Sequence, residues 1–373
     1  LEFSIDIQDQ VVRAATPDHR MDIGEGVIGV ADLMEEIARI YGYENIPETR
    51  LADELPPQIG NEKMKREEKI RDLLVVLGLQ EVVNYRLTSP EREARRLPPD
   101  VRDQDRYFAL ANPLAADRSV LRHSLLPGML EIVERNLRVK ERMALFEIGP
   151  VFLPLEGADL PDEQTRLVIL LTGPRALKHW QGADTTLMDF YDLKGVVDGM
   201  LNGLHLEGIS YTPGEHRSMH PGKCARVTAG SRQLGLIGEL HPVVVEQYEL
   251  PDSAVLIGEF DLGAIAQAIP DRYETGSVPA YPPVLEDIAV VVDEQLPTNQ
   301  VEQVILTAGG STLVDVRLFD VYQGEQVGPG KKSLAYNLTF LDPDRTLTDK
   351  AVSKLRERII RSLEKELGAE LRR

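Results

Sequence analysis

Residues 112–152 read NPLAADRSVLRHSLLPGMLEIVERNLRVKERMALFEIGPVF and join an Asn-Pro turn, an amphipathic helix and an apolar strand. Apolar residues recur in the helix at spacings near three and four, which predicts one buried face: Leu125, Leu126, Met129 and Val133. Residues 146–152 predict a core strand, although Glu147 is a charge that a plain core strand would lack. The stretch is therefore either a working active site or the packed remnant of one.

The chain has 373 residues, more than one core usually supports, which predicts two or three domains. It opens on Leu1 in what reads as the middle of a unit, so we expect a fragment of a longer protein. Apolar runs stay well short of the roughly 20 residues of a membrane helix, and no signal segment opens the chain. These features predict a soluble, cytoplasmic protein with no membrane partner. The single cysteine, Cys224, excludes an internal disulfide.

The net charge of −19 should repel nucleic acid that is bound through backbone charge alone. A polyanionic partner would therefore need a local basic patch. Residues 331–373 supply one, with 11 Lys and Arg against 7 Asp and Glu.

Residues 1–50 predict a first unit with strands at 3–7 and 11–15 and a helix from 32 to about 41. Three acids fall at i, i+3 and i+4 of that helix, so their carboxylates should cluster on its first turn: Asp32, Glu35 and Glu36. With Asp22 upstream, they form an oxygen donor set that suits Mg²⁺. Acids at a helix start also offset the helix dipole, and Asp32 is a good N-cap, so the spacing leaves both interpretations open.

A linker at 51–61 leads to a larger unit in which strands outnumber helices. The predicted helices are 62–77, 190–201 and 242–247, and the predicted strands are 80–87, 167–172, 225–229, 234–239 and 255–260. This order favours a mainly antiparallel α+β domain. His216, His220 and Cys224 are spaced like helical metal ligands, but Pro221-Gly222 predicts a turn between strands instead.

The last unit predicts strands at 284–292, 312–322 and 332–341 and helices at 298–308 and 348–367. Alternation in 333–340 places Leu334, Tyr336, Leu338 and Phe340 on one face. A βαββαβ order with one polar sheet face is ferredoxin-like. We expect the exposed sheet face to lack aromatic residues for base stacking.

Three sets of motifs together resemble the β subunit of bacterial phenylalanyl-tRNA synthetase. HRMDI at 19–23 and ADLMEEIARIYGYENIP at 31–47 resemble its winged-helix-like domain. The stretch at 112–152 and HPGKCARV at 220–227 resemble its class II synthetase-like domain, and KKSLAYNLTFLDPDRTLTD at 331–349 resembles its ferredoxin-fold anticodon-binding domain. The resemblance implies a multidomain α+β chain with these domains at 1–50, 61–270 and 279–373.

The resemblance also implies an α₂β₂ ligase that charges tRNA(Phe) with phenylalanine, using ATP and Mg²⁺, with the chemistry in the α subunit. In the family Mg²⁺ is held by acids that correspond to Asp22, Asp32, Glu35 and Glu36. The connection at 24–31, GEGVIGVA, is longer than usual, so Asp22 or Glu25 completes the set.

A class II synthetase stabilises the α-phosphate of ATP with arginines, one of them on a core strand. The strand at 146–152 offers Glu147 and no arginine, and a carboxylate there would repel a triphosphate. We therefore expect the middle unit to contain no catalytic residue and to pack against α.

The leading hypothesis is a non-catalytic scaffold that binds the tRNA(Phe) anticodon region, with Lys331, Lys332 and Arg345 as tRNA contacts. The alternative is a free-standing interaction or nucleic-acid-binding protein built from the same domains. Copurification with a catalytic α chain separates the two hypotheses.

Overall fold

The computed structural model describes residues 1–49, 59–101, 106–155, 157–250, 253–273, 275 and 278–372. Most of the linker predicted at 51–61 lies outside these residues. The described chain is a mixed α+β protein with a separate sheet in each of the three predicted units. Over these residues, no helix combines the length and the apolar character that crossing a bilayer requires.

The first unit is an antiparallel hairpin of β1 (Ser4–Gln8) and β2 (Val11–Ala15), followed by α1 (Gly26–Tyr41). The two predicted strands and the predicted helix end are thereby confirmed. None of the residues of α1 is fully buried, so the helix presents apolar side chains to solvent on much of its surface.

The predicted start of α1 at residue 32 is wrong, because the helix begins at Gly26. A Cβ atom at Gly29 would lie 2.1 Å from the carbonyl oxygen of Gly24, so this glycine allows the loop to approach the first turns. Gly26 and Gly29 are therefore compatible with the first turns of α1, although the sequence suggested that they would precede the helix. Asp32 lies inside the helix, and its interpretation as an N-cap is also wrong.

The middle unit is the largest. In chain order it contains α2 (Glu62–Val76), β3 (Gln80–Glu81), β4 (Leu87–Thr88), α3 (Pro90–Ala94), β5 (Val120–Leu121), α4 (Leu126–Asn136), β6 (Met143–Leu153), β7 (Asp162–Thr172), α5 (Phe190–Gly203), β8 (Ile209–Pro213), β9 (Met219–Ala229), β10 (Arg232–Leu240), α6 (Pro242–Gln247), β11 (Val255–Asp261) and α7 (Leu262–Ala268). Seven of the strands form one sheet in the order β3-β6-β7-β11-β10-β9-β8. Its pairs are antiparallel apart from β3–β6, which confirms the predicted architecture.

Both faces of this sheet are covered by helices. Alternate residues of β6 point to opposite sides, as the pleat of a strand requires. Phe146 packs in the core that α2, α5 and α7 complete, whereas Leu145 packs in the core beneath α4 and α6. Glu147 lies on the same side as Leu145 and is 1% exposed. A charged group therefore sits in the layer between the sheet and α4.

Two predictions for this unit are wrong in detail. The strand predicted at 80–87 pairs with β6 only at β3, because the chain then turns so that Asn84 donates to Glu147. The turn predicted around Pro221 is part of β9, where an irregularity in the pairing with β10 accommodates the proline.

The last unit contains β12 (Val284–Asp293), α8 (Thr298–Gly309), β13 (Leu313–Tyr322), β14 (Lys331–Phe340), α9 (Asp349–Leu367) and β15 (Glu370–Leu371). The sheet order β13-β14-β12-β15, with antiparallel pairs throughout, is ferredoxin-like and confirms the prediction. The four predicted residues of β14 are buried against α8 and α9, as their alternation indicates. The opposite sheet face, called here the open face, carries no helix from the described residues.

The segment before β6 and the segment after β7 approach each other closely, and this approach can be tested at Gly173. This residue has a φ of 94°, and an added Cβ would lie 2.0 Å from the carbonyl oxygen of Glu141. Gly182 has a similar φ of 85°, and an added Cβ there would lie in open space. Both alanine variants should carry the backbone strain of a left-handed residue, about 1–2 kcal/mol. Gly173→Ala should lose a further 1–3 kcal/mol, roughly the cost of overpacking. Chemical denaturation measures the difference, and equal losses would contradict the described approach.

Candidate functional site

The first candidate site is the acidic cluster of the first unit. Arg20 lies between two of the predicted ligands: its guanidinium contacts Asp22 at 2.7 Å and Glu36 at 2.9 Å. The second oxygen of Glu36 accepts from Arg39 at 2.6 Å. The hydrogen bond from Arg20 lowers the pKa of Asp22 to about 2, and the hydrogen bonds from Arg39 and Arg20 lower the pKa of Glu36. Both carboxylates are thus already neutralised by arginine.

The other predicted ligands have different surroundings. Asp32 accepts a hydrogen bond of 2.8 Å from the backbone N–H of Gly24, and Glu35 is exposed one turn further along α1. Glu25 precedes the helix without a side-chain capping bond. Across the described ranges, no three His, Cys, Asp or Glu side chains meet as a metal site would require. In this arrangement the acids do not fit Mg²⁺, because Arg20 holds the positive charge between them.

The second candidate site surrounds Glu147 on β6. Its Oε1 accepts from Arg122 Nη1 at 2.7 Å, and its Oε2 accepts from Asn84 Nδ2 at 2.7 Å. Arg122 also donates from Nε to the carbonyl oxygen of Pro150. A Cβ at Gly149 would lie 2.4 Å from Arg122 Nη2, so glycine leaves the space that the guanidinium fills.

This geometry corrects one premise drawn from the sequence. The strand itself contains no arginine, as predicted, but Arg122 reaches it from the segment before α4. Glu147 is therefore not an uncompensated charge that would repel an anion. The sequence did contain a signal, since Arg122 lies within the stretch at 112–152, but nothing in the spacing showed that the two residues would pair.

The third candidate site is the open face of the last sheet. Asn337 lies between Arg317 and Asp287 on the neighbouring strands, and it donates to Asp287 at 2.8 Å. Tyr322 pairs with Ser333, which belongs to the same face. The guanidinium of Arg372 lies 5.0 Å from the centre of the Tyr322 ring. Aromatic, cationic and amide groups thus share this surface.

The expectation of an open face without aromatic residues is therefore wrong. Two irregularities in the pairing of β13, one after Leu313 and one after Leu318, shift its alternation. Regular alternation from Leu318 would turn Tyr322 toward the core. The second irregularity instead places it on the open face, and the sequence contains no pattern that locates such a shift.

The three predicted tRNA contacts do not form one patch. Lys331 and Lys332 begin β14, and Lys331 binds Glu370 at 2.6 Å. Arg345 follows the other end of this strand, is 78% exposed and binds Asp342. Ten strand residues span about 30 Å at roughly 3.3 Å per residue, so these ends are far apart. Lys331 lies at the same end as Tyr322, and Arg345 does not.

Comparison with known proteins gives two family matches. Residues 46–262, more than half of the chain, match the phenylalanyl tRNA synthetase beta chain CLM domain. Residues 279–372 match the ferredoxin-fold anticodon binding domain.

Curated relatives carry the name phenylalanine–tRNA ligase beta subunit. The protein from Symbiobacterium thermophilum is 40% identical over 370 residues, which cover 98% of this chain and 40% of the relative. The protein from Geobacillus kaustophilus is 38% identical over 376 residues, covering 100% of this chain and 45% of the relative. The chain therefore spans less than half the length of these relatives.

Replacing Arg122 by Met should destabilise the protein strongly, because Glu147 would remain buried without its partner. The expected loss in the free energy of unfolding is about 3–5 kcal/mol. Arg135→Met is the control: Arg135 also pairs with a glutamate, Glu131, but its own side chain is 69% exposed, so the loss should stay below about 1 kcal/mol. Urea denaturation compares them, and similar losses for both variants would show that the buried pair is unimportant.

Replacing Arg20 by Ala should raise the pKa of Asp22 from about 2 toward its ordinary value of 3.8. Since the pKa is lowered in the folded protein, the pair stabilises the first unit above about pH 4, and this contribution disappears as the pH falls through about 2. Carboxyl ¹³C NMR titration measures the shift. Arg39→Ala, which removes a contact of Glu36 only, should leave Asp22 unchanged, and an unchanged Asp22 in Arg20→Ala would contradict the described contact.

Proposed function

The chain belongs to the phenylalanyl-tRNA synthetase β-chain family, and from this premise we propose that it is the non-catalytic, tRNA-binding part of a phenylalanine–tRNA ligase. Residues 1–50, 61–270 and 279–373 form a winged-helix-like, a synthetase-like and an anticodon-binding domain. The working enzyme is a cytoplasmic α₂β₂ complex that uses ATP.

The open face of the last sheet is the observation that carries tRNA binding. Unpaired RNA bases bind proteins by stacking on aromatic and arginine side chains and by hydrogen bonding of their edges. Tyr322 and Arg372 supply the stacking groups, and Arg317 and Asn337 supply donors on the neighbouring positions. These side chains, together with Lys331, contact the anticodon region of tRNA(Phe). Selective contacts of this kind are needed because the net charge of −19 opposes unspecific binding.

The middle domain serves as a scaffold for the catalytic α subunit. The helices on both faces of its sheet, and the internal neutralisation of Glu147, support a packing role. We place the surface for the α subunit on two exposed valines: Val76, which ends α2 and is 83% exposed, and Val83, which follows β3 and is 85% exposed. Large exposed apolar side chains that belong to one patch are typical of protein contacts.

Mg²⁺ binding by Asp22, Asp32, Glu35 and Glu36 stays a prediction. Since Arg20 already neutralises Asp22 and Glu36, metal binding requires this arginine to leave and an α chain to complete the ligand set. Calorimetric titration of Mg²⁺ into the complex with α should show weaker binding by Glu35→Ala/Glu36→Ala and tighter binding by Arg20→Ala. Unchanged affinity in the double variant would remove these residues from the site.

Replacing Tyr322 by Ala should weaken tRNA(Phe) binding by roughly 5- to 150-fold, the equivalent of losing one stacked base. Arg317→Ala should also weaken binding and should lower the salt dependence by about one charge. Arg361→Ala is the control, because this exposed arginine lies on α9, which packs on the other side of the sheet. Filter binding across a salt series measures all three variants. Full affinity in Tyr322→Ala would contradict RNA binding on the open face.

A further inference from the structure

A cavity of about 280 Å³ lies beside the buried Arg122–Glu147 pair in the middle unit. Its walls come from the segment around Asn84, from α3, from the residues on either side of β5 and from α4. Four arginines line it: Arg92, Arg118, Arg122 and Arg135. Such a concentration is unusual in a chain whose net charge is −19.

The acidic residues of the wall do not cancel this charge. Glu131 is shared, because it binds both Arg92 and Arg135. Arg92 also lies 3.5 Å from Asp117, which is outside the lining. Glu147 binds Arg122, and Glu93 lies 3.8 Å from Arg96, which is outside the lining. Within the described part of the chain, no carboxylate lies at ion-pair distance from Arg118. The lining itself thus has four arginines against two glutamates, and the guanidinium that no described carboxylate pairs is that of Arg118.

Arg118 is held in place without being neutralised. Its guanidinium stacks 4.1 Å from the centre of the Tyr85 ring, and this ring is 73% exposed. An aromatic face orients a guanidinium and leaves its N–H groups available at the edge. Arg118 is thus positioned to donate into the cavity.

Two further N–H groups belong to lining residues and have no acceptor among the described residues. Arg122 uses Nε and Nη1 for bonds inside the protein, while no acceptor among the described residues bonds to Nη2. Gly128 lies in the first turn of α4, where backbone N–H groups are unpaired and the helix dipole is positive. No described carbonyl accepts from the Gly128 N–H.

The cationic side chains and the Gly128 N–H therefore belong to separate segments that line one cavity: α3, the residues on either side of β5, and α4. A planar carboxylate presents two oxygens in one plane, whereas a phosphate group presents three or more in a tetrahedral arrangement. We propose that this cavity is a binding site for a phosphate group, provided by a nucleotide or by the backbone of an RNA strand. Tyr85 at its mouth offers a surface for an attached base. The site is separate from the open face of the last sheet and does not depend on the proposed tRNA contact there.

Calorimetry with inorganic phosphate, with AMP and with a short single-stranded RNA tests this site in the whole chain. The first variant is Arg118→Ala, which removes an exposed side chain and spares the buried pair. Its matched control is Arg138→Ala, another exposed arginine that is outside the cavity. Circular dichroism checks that both variants remain folded.

Arg118→Ala should weaken phosphate binding by about tenfold or more, the loss expected for a charge-assisted hydrogen bond, whereas Arg138→Ala should bind as the parent does. Tighter binding of AMP than of phosphate would identify a nucleotide as the source. Tighter binding of RNA than of AMP, measured in Tyr322→Ala so that the open face does not contribute, would identify the RNA backbone. Absence of phosphate, AMP and RNA binding in the parent chain would overturn the proposal. Equal binding of the ligand by parent and Arg118→Ala would overturn it as well. Tyr322→Ala should not change phosphate binding, so failure here is distinguishable from failure of the anticodon contact.

Discussion

The neutralisation of Glu147 is the constraint on which the middle unit depends. A carboxylate buried between a sheet and a helix is tolerated only with an opposite charge and with hydrogen bonds to both oxygens. Arg122 supplies the charge and Asn84 supplies the second bond. Because these residues come from different segments, the requirement fixes the chain before α4 and the turn after β3 against β6. The same pair explains the glycine at position 149, because a side chain there would occupy the space of the Arg122 guanidinium.

The fold was predictable where the pattern is local. Alternation in β14 identifies its buried face, and the apolar spacing of α4 identifies the face that packs on the sheet. The start of α1 was not predictable in this way, because Gly29 looks like a helix breaker until the approach of Gly24 is known. Tyr322 was missed because a pairing irregularity in β13 changes the side on which it lies. The partner of Glu147 was missed because contacts between distant residues leave no periodic signal.

The candidate sites also differ in how well the sequence predicted their residues. Asp32, Glu35 and Glu36 lie along one helix as predicted, but not on its first turn, because α1 begins at Gly26. Arg20, which the prediction did not include, changes what these acids can bind. The tRNA contacts were expected from charge alone, which selected Lys331 together with Arg345 at the far end of the same strand. The structure favours one end of the open face, where an aromatic ring and a guanidinium lie together. Function is therefore proposed at the acids of the first unit, at the arginine-lined cavity of the middle unit and at the open face of the last unit.

The proposed role as a scaffold for a catalytic subunit is tested most directly by sedimentation of this chain with a phenylalanyl-tRNA synthetase α subunit. Sedimentation velocity in native salt should detect a heavier species that contains both chains, and Val76→Asp/Val83→Asp should abolish it because two charges would enter an apolar contact. Independent sedimentation of the two unmodified chains at micromolar concentration would contradict the scaffold role.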